Sequence, residues 1–398
     1  MLAPTEPAER GISLDACRVR KMARSAHAFV RGSTDLFYNW LSVADLAKDI
    51  PQGPPVWICG DCHLGNLGPL ADAEGRIDIQ IRDLDQTVIG NPAYDLIRLA
   101  LSLASAARGS DLPGIATARI VEAMIDGYTR ALDLRRAPDE TLQPQLVRAV
   151  HKRALGRKWR HLARERLDAA TKLPIGKRFW KLSDEEREGI EGIFAEPEVV
   201  SLLLRLSARN SARRLHLRDA AYWVKGCSSL GAGRYAALVE VEGNSGRRTS
   251  ALIDLKQALA PIALKAPRTR LPRDNAERIV GGARALSPNL GERMLPVRLL
   301  GKSYVLRELR PQDLKIEADQ FTRPEAIRAA YYLSYVVGRA HAGQLDNDAR
   351  AAWVEELRAT SFGNLDAPPW LWRSVVKLMG RHEAAYLEHC RRYAVGGG

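Results

Sequence analysis

Residues 59 to 66 read Cys59-Gly60-Asp61-Cys62-His63-Leu64-Gly65-Asn66, which places a carboxylate and a carboxamide five positions apart on a short glycine-containing segment. That pair suits phosphoryl transfer, in which a carboxylate orients or deprotonates the attacking hydroxyl and an amide oxygen nearby helps to hold a divalent metal on the phosphates. Asp61 is the candidate for the first task and Asn66 for the second. Seventeen residues after Asn66, an apolar-alternating stretch ends in Ile81-Arg82-Asp83-Leu84-Asp85. A carboxylate leaving a strand there offers hard oxygen to Mg2+, with Asp83 the first candidate and Asp85 the reserve. The segment also spells C-x-x-C-H, the attachment signature of c-type haem. That chemistry is rejected: haem attachment goes with export, no export signal is seen, and an apolar strand leading into the motif suits a buried loop. A zinc knuckle would need a second ligand pair.

A phosphate grip is expected further along. Lys225-Gly226-Cys227-Ser228-Ser229-Leu230-Gly231-Ala232-Gly233-Arg234-Tyr235 is a glycine-rich turn between β-prone runs, and its backbone amides can approach phosphate oxygens. Gly226, Ser229, Gly231 and Gly233 are the candidates within it. Lys256 ends the run Ala251-Leu252-Ile253-Asp254-Leu255 as a candidate phosphate contact, and an ion pair with Glu277 on the following helix would position it. Arg31, followed by Gly32 at a helix break, and His63 in the loop are candidates for a substrate or phosphate clamp.

The elements that must position these groups read as follows. Lys21 to Lys48 is helical, Val56 to Cys59 is a short buried strand, and Leu96, Leu99, Ala100 and Leu103 mark a helix face with Asp95 at its N-terminal cap. Helices continue to about Ser211. A strand-rich island follows, with Tyr222 to Val224, Tyr235 to Val241, Ser250 to Leu255, Val297 to Leu300 and Ser303 to Leu309 as strands and Asn275 to Leu286 as a helix. Helices resume to the end. The units expected are a helical large lobe over 1–214, a strand-rich nucleotide-binding lobe over 215–320, and returning helices over 321–398.

Gly60-Asp61 to Asn66, Asp83 and Gly90-Asn91-Pro92-Ala93-Tyr94-Asp95-Leu96 together resemble the aminoglycoside-phosphotransferase branch of the protein-kinase-like superfamily, with Cys59 and Asn91 departing from its usual residues. The whole layout resembles the bacterial domain-of-unknown-function family 2252, on Phe29-Val30-Arg31-Gly32, Asp83-Leu84-Asp85-Gln86, Gly226 to Gly233, Leu255-Lys256-Gln257-Ala258 and Arg278-Ile279-Val280. The resemblance implies an α+β, protein-kinase-like two-lobed fold, circularly permuted so that the catalytic segment precedes the small antiparallel-sheet lobe. It implies ATP and Mg2+ as cofactors and an unidentified hydroxyl acceptor. The alternatives kept open are transfer of AMP instead of phosphate, and a non-catalytic nucleotide sensor or basic scaffold.

Composition sets the outer limits. The 398 residues are 46% hydrophobic, enough for a large core, which excludes a disordered or fibrous chain. Five scattered cysteines argue for reduced thiols over a disulfide framework, and no apolar run of about 18 residues suggests a membrane span. A cytoplasmic location is expected from the charged first residues. Sixty Lys and Arg against 47 Asp and Glu leave +13, densest from His151 to Lys181, a field that attracts nucleotides, nucleic acid or acidic lipids, although nucleic acid is not the favoured partner.

Overall fold

The computed structural model describes residues 6–43, 48–133, 143–168, 172–206, 212–226, 230–243, 248–316, 321–359 and 367–393. Helices α1 (Arg10–Met22), α2 (Ala26–Gly32) and α3 (Thr34–Leu41) come first. The helical run expected from Lys21 is broken where Ser25 accepts a hydrogen bond from the Ala28 N–H and starts α2 afresh, and again at Ser33.

Two antiparallel ribbons come next. β1 (Val56–Ile58) pairs with β4 (Val88–Gly90), and β2 (Leu67–Ala71) pairs with β3 (Ile77–Ile81). The segment 59–66 runs from β1 to β2, and the segment 82–87 runs from β3 to β4. Because Ile58 is opposite Val88 and Leu67 is opposite Ile81, the pairing that closes both ribbons also lays the two loops side by side.

The chain continues through α4 (Ala93–Gly109), α5 (Gly114–Leu132), α6 (Gln145–Leu155) and α7 (Trp159–Arg166), then β5 (Phe179–Trp180), α8 (Asp184–Ala195) and α9 (Pro197–Arg205). A six-stranded antiparallel sheet follows, built from β5, β6 (Ala212–Trp223), β7 (Arg234–Gly243), β8 (Arg248–Gln257), β9 (Met294–Leu299) and β10 (Lys302–Leu309) in the order β5-β6-β7-β8-β10-β9. α10 (Asn275–Leu286) and α11 (Pro288–Gly291) lie between β8 and β9, and α12 (Arg323–Ala342), α13 (Asn347–Ala359) and α14 (Pro369–Tyr393) complete the chain. The fold is therefore mixed helix and antiparallel sheet. Its sheet recruits β5, and α8 and α9 pack on it, all from before residue 215.

Burial explains the layering. Leu96, Leu99, Ala100 and Leu103 of α4 are buried with Leu333, Val336 and Val337 of α12, and Ile279, Val280 and Ala283 of α10 join the same core. Each such leucine, isoleucine or valine contributes about 2 kcal/mol. Strand alternation then splits the sheet: Ala237, Val239, Ile253 and Leu255 face α8 and α9, while Ala236, Leu238 and Leu252 face Leu162 and Ala163 of α7. Asp254 and Lys256 share the second face with Leu252. Among the described residues no helix is long and apolar enough to cross a membrane, and Cys17, Cys59, Cys62 and Cys390 are free thiols.

Candidate functional site

The loop after β1 is held by its backbone. The N–H groups of Cys59 and Gly60 donate to Asp95 at 2.7 and 2.9 Å, and the Gly60 carbonyl accepts from the Tyr38 hydroxyl at 2.6 Å. Gly60 has φ +76°, and a Cβ there would stand 2.3 Å from the Gln86 carbonyl oxygen, so only glycine fits between the two loops. Asp95 thus corrects its expected role. Pro92 occupies the α4 N-cap without a side-chain bond, and the Asp95 carboxylate, fully buried one turn in, is spent on the 59–60 segment instead. Behind it, His341 Nε2 lies 3.2 Å from Asp95, Tyr128 Oη lies 2.9 Å from His341 Nδ1, and Trp353 Nε1 donates to Tyr128 at 3.1 Å. With Trp353 donating to the phenol, the phenol donates to Nδ1 and the imidazole donates through Nε2 to Asp95.

Asp61 meets Arg98, whose Nε donates to it at 2.9 Å and whose Nη2 donates to the Val30 carbonyl at 2.6 Å. Burial raises the Asp61 pKa, Arg98 opposes it, and the net direction is upward. Asn66 donates through Nδ2 to the Asp61 carbonyl at 2.9 Å, which leaves its amide oxygen available to a ligand.

Asp83 and Asp85 leave β3 beside this loop, and Lys256 reaches them from β8. Its ammonium is 3.2 Å from both Asp83 oxygens and also bonds Asp85. Burial would raise Asp83, but Lys256, then Arg307 and Arg234, hold it below the ordinary carboxylate range; burial and the Asp83 charge push Asp85 up to about 6.

The expected Lys256–Glu277 ion pair is corrected: Lys256 is committed to the two aspartates, and Glu277 is exposed in the first turn of α10. The helix contributes its next residue. Buried Arg278 donates to the carbonyls of Asp85 at 3.0 Å, Leu259 at 2.9 Å and Thr87, clamping the 83–87 loop. The helical period explains the exchange, since Ala276, Ile279, Val280 and Ala283 face the core and Arg278 lies on that side of the helix while Glu277 does not.

A cavity of about 500 Å3 gathers Asp61, Asn66, Asp83 and Asp85, with Thr34, Asp35, Gln86, Gln257 and Ile262 among its other lining residues. Gly226 and Gly231 have φ of +104° and +103°, as a glycine turn requires, and Lys21 of α1 donates to the Gly226 carbonyl at 2.7 Å. Neither they nor Gly233 line the cavity. Gln257 does, and its side chain accepts from the Gly233 N–H at 2.8 Å. Ser229 lies outside the described residues. Arg31 lays its guanidinium against Gly65, where an added Cβ would be 2.9 Å from Cζ. His63 is buried outside the cavity lining, and burial followed by Arg31 and Arg98 keeps its pKa well below the usual histidine value, so it is neutral and no cationic clamp.

Sequence spacing singled out Asp61, Asn66, Asp83, Asp85 and Lys256, which the fold gathers, but not the partnerships that hold them. Arg98 and His341 escape it, because an ionisable residue inside an apolar helix face is the only hint each leaves, and Asp95 is legible in sequence only as a helix cap. Comparison with known proteins found no matching curated protein and no matching solved structure. A family model does match residues 13–392, that of the uncharacterized proteins conserved in bacteria grouped as domain-of-unknown-function family 2252, and the chain belongs to that family.

Proposed function

We propose that the chain is a Mg2+- and ATP-dependent phosphotransferase of permuted protein-kinase-like design, acting on a hydroxyl acceptor. One observation carries this: Asp83 and Asp85 from the first quarter of the chain meet Lys256 from the third, beside the cavity that holds Asp61 and Asn66. The donors suit Mg2+, being two carboxylates and an amide with hard oxygens only. Asp83 and Asn66 would hold it, with Asp85 adjacent. When bound, the metal would neutralise phosphate charge as the terminal phosphate transfers.

The chain's own residues do the remaining work. Asp61 orients the acceptor hydroxyl and takes its proton as the new O–P bond forms and the bond to the ADP oxygen breaks. Its upward pKa direction makes it a better proton acceptor than an exposed aspartate. Arg98 keeps the carboxylate in place through one oxygen. Lys256 releases the aspartates and turns to the phosphates.

Mg2+-ATP at about 100 times its dissociation constant should stabilise the wild-type chain by about 2.7 kcal/mol, a rise of a few degrees in Tm. Lys256→Met and Asp83→Asn should remove most of that rise. If both variants bind Mg2+-ATP as the wild type does, the proposal fails. Labelled ATP separates the chemistries, γ-label on the acceptor supporting phosphoryl transfer and α-label supporting AMP transfer.

A further inference from the structure

The segment from Gln145 to Lys181 carries twelve Lys and Arg against two carboxylates, Glu165 and Asp168, and supplies most of the net charge of the chain. Ten of those cations are exposed: Arg148, Lys152, Arg153, Lys158, Arg160, Arg164, Lys172, Lys177, Arg178 and Lys181. Within the described residues, the ion pair in this segment is Arg157–Glu165, so the exposed cations are not neutralised by neighbours.

Those of α7 and of the turn before β5 are also held together. Arg178 of the turn before β5 donates to the Glu165 carbonyl at 3.1 Å, and Arg157 bonds both the Glu165 carboxylate and the Pro311 carbonyl, which fixes α7, this turn and the chain after β10 together. Arg160 and Arg164 lie one turn apart on the exposed side of α7, opposite buried Leu162 and Ala163. At the inner edge, Arg166 and Lys225 lie 5.8 and 3.9 Å from the Trp223 ring, and Lys225, Arg234 and Arg307 share the single carboxylate of Asp254. Burial and the neighbouring Arg234 charge hold the Lys225 pKa well down, as expected where cations outnumber their partners.

So many uncompensated cations on one face repel one another, and a polyanion relieves that repulsion. We propose that α7 and the turn over residues 172–181 are a docking surface for the phosphate backbone of a nucleic acid. Arginine forks match phosphate oxygens, and the spread of cations over a helix and a turn suits a chain of phosphates better than a single anion. A lipid surface fits less well. The large apolar side chains exposed here are Leu155 and Ile175, one at the end of α6 and one in the turn, not the continuous apolar face that an interfacial helix inserts.

The full chain would be titrated with fluorescent 20-nucleotide single-stranded and duplex RNA and DNA, reading anisotropy from 50 to 200 mM salt. If five phosphates are neutralised, affinity should fall by about 500-fold over that range on duplex. Lys158→Glu/Arg160→Glu/Arg164→Glu should bind at least about tenfold more weakly at 50 mM salt. A control on α14 with the same charge change, Arg373→Glu/Lys377→Glu/Arg381→Glu, should bind nearly as the wild type does. Equal losses in both variants would reduce the effect to net charge and overturn the proposal. So would an absence of oligonucleotide binding, or binding only to vesicles of phosphatidylserine and phosphatidylcholine lost in the α7 variant. Unfolding midpoints of both variants near the wild-type value keep the comparison one of binding.

Discussion

Asp61 sits in an ion pair whose cationic partner is entirely out of solvent, since the Arg98 side chain is 0% exposed. Asp61→Asn therefore has two effects: it removes the proposed proton acceptor and leaves a buried guanidinium without its carboxylate, which costs about 3–5 kcal/mol. Loss of activity in that variant has to be read against its folded fraction. A double-mutant cycle separates the effects. Asp61→Asn and Arg98→Met should each destabilise strongly, and the double variant should be more stable than the sum of the two by about 1 kcal/mol or more in urea unfolding. Strict additivity would mean that the two charges do not depend on each other.

At the scale of elements, two buried polar groups set the positions of the two loops. Asp95 accepts from two backbone N–H groups of the 59–60 segment, so Asp95→Ala should cost about 2–4 kcal/mol by orphaning both, and His341 besides. Tyr128→Phe, one bond further back, should cost only about 1 kcal/mol, because it deletes a single hydroxyl from the chain of bonds. Arg278 does the same for the other loop by donating to three carbonyls. Arg278→Met should lower Mg2+-ATP affinity at least about tenfold, and Arg278→Lys should not restore it, since one ammonium cannot reproduce the guanidinium fork. Chemical denaturation and nucleotide titration of the same variants check both outcomes, and recovery by lysine would reduce Arg278 to a bare positive charge.

For the whole molecule, acid should act first through histidine. His382 on α14 is 2% exposed, and burial together with Arg98 lowers its pKa to about 4. The folded state favours the neutral imidazole, so this stabilisation is complete above the ordinary histidine pKa near 6.5 and is lost as pH falls from about 6.5 toward 4. At about 1.4 kcal/mol per unit, the loss approaches about 3 kcal/mol. Unfolding free energies at pH 7, 5.5 and 4.5 should fall steadily in the wild type and less steeply in His382→Gln. Asp254 acts in a different window: Arg234, Lys225 and Arg307 outweigh its burial and hold its pKa down, so its contribution persists above about pH 4 and disappears only in stronger acid.

What the sequence by itself determined was local: the Asp61 and Asn66 spacing, the carboxylates where β3 ends, Lys256 at the end of β8, and α10 at Asn275–Leu286. Each depends on a period or a turn that neighbouring residues enforce, which is why it can be read without coordinates. Only the tertiary structure decided the partnerships. Lys256 takes Asp83 and Asp85 across 173 and 171 positions of sequence and leaves Glu277 to solvent, Arg278 grips carbonyls of a distant loop, and Asp95 serves that of β1 instead of its own helix end. A buried charge or backbone group must find its partner wherever the fold brings one within about 3 Å, and no periodicity along the chain encodes that meeting.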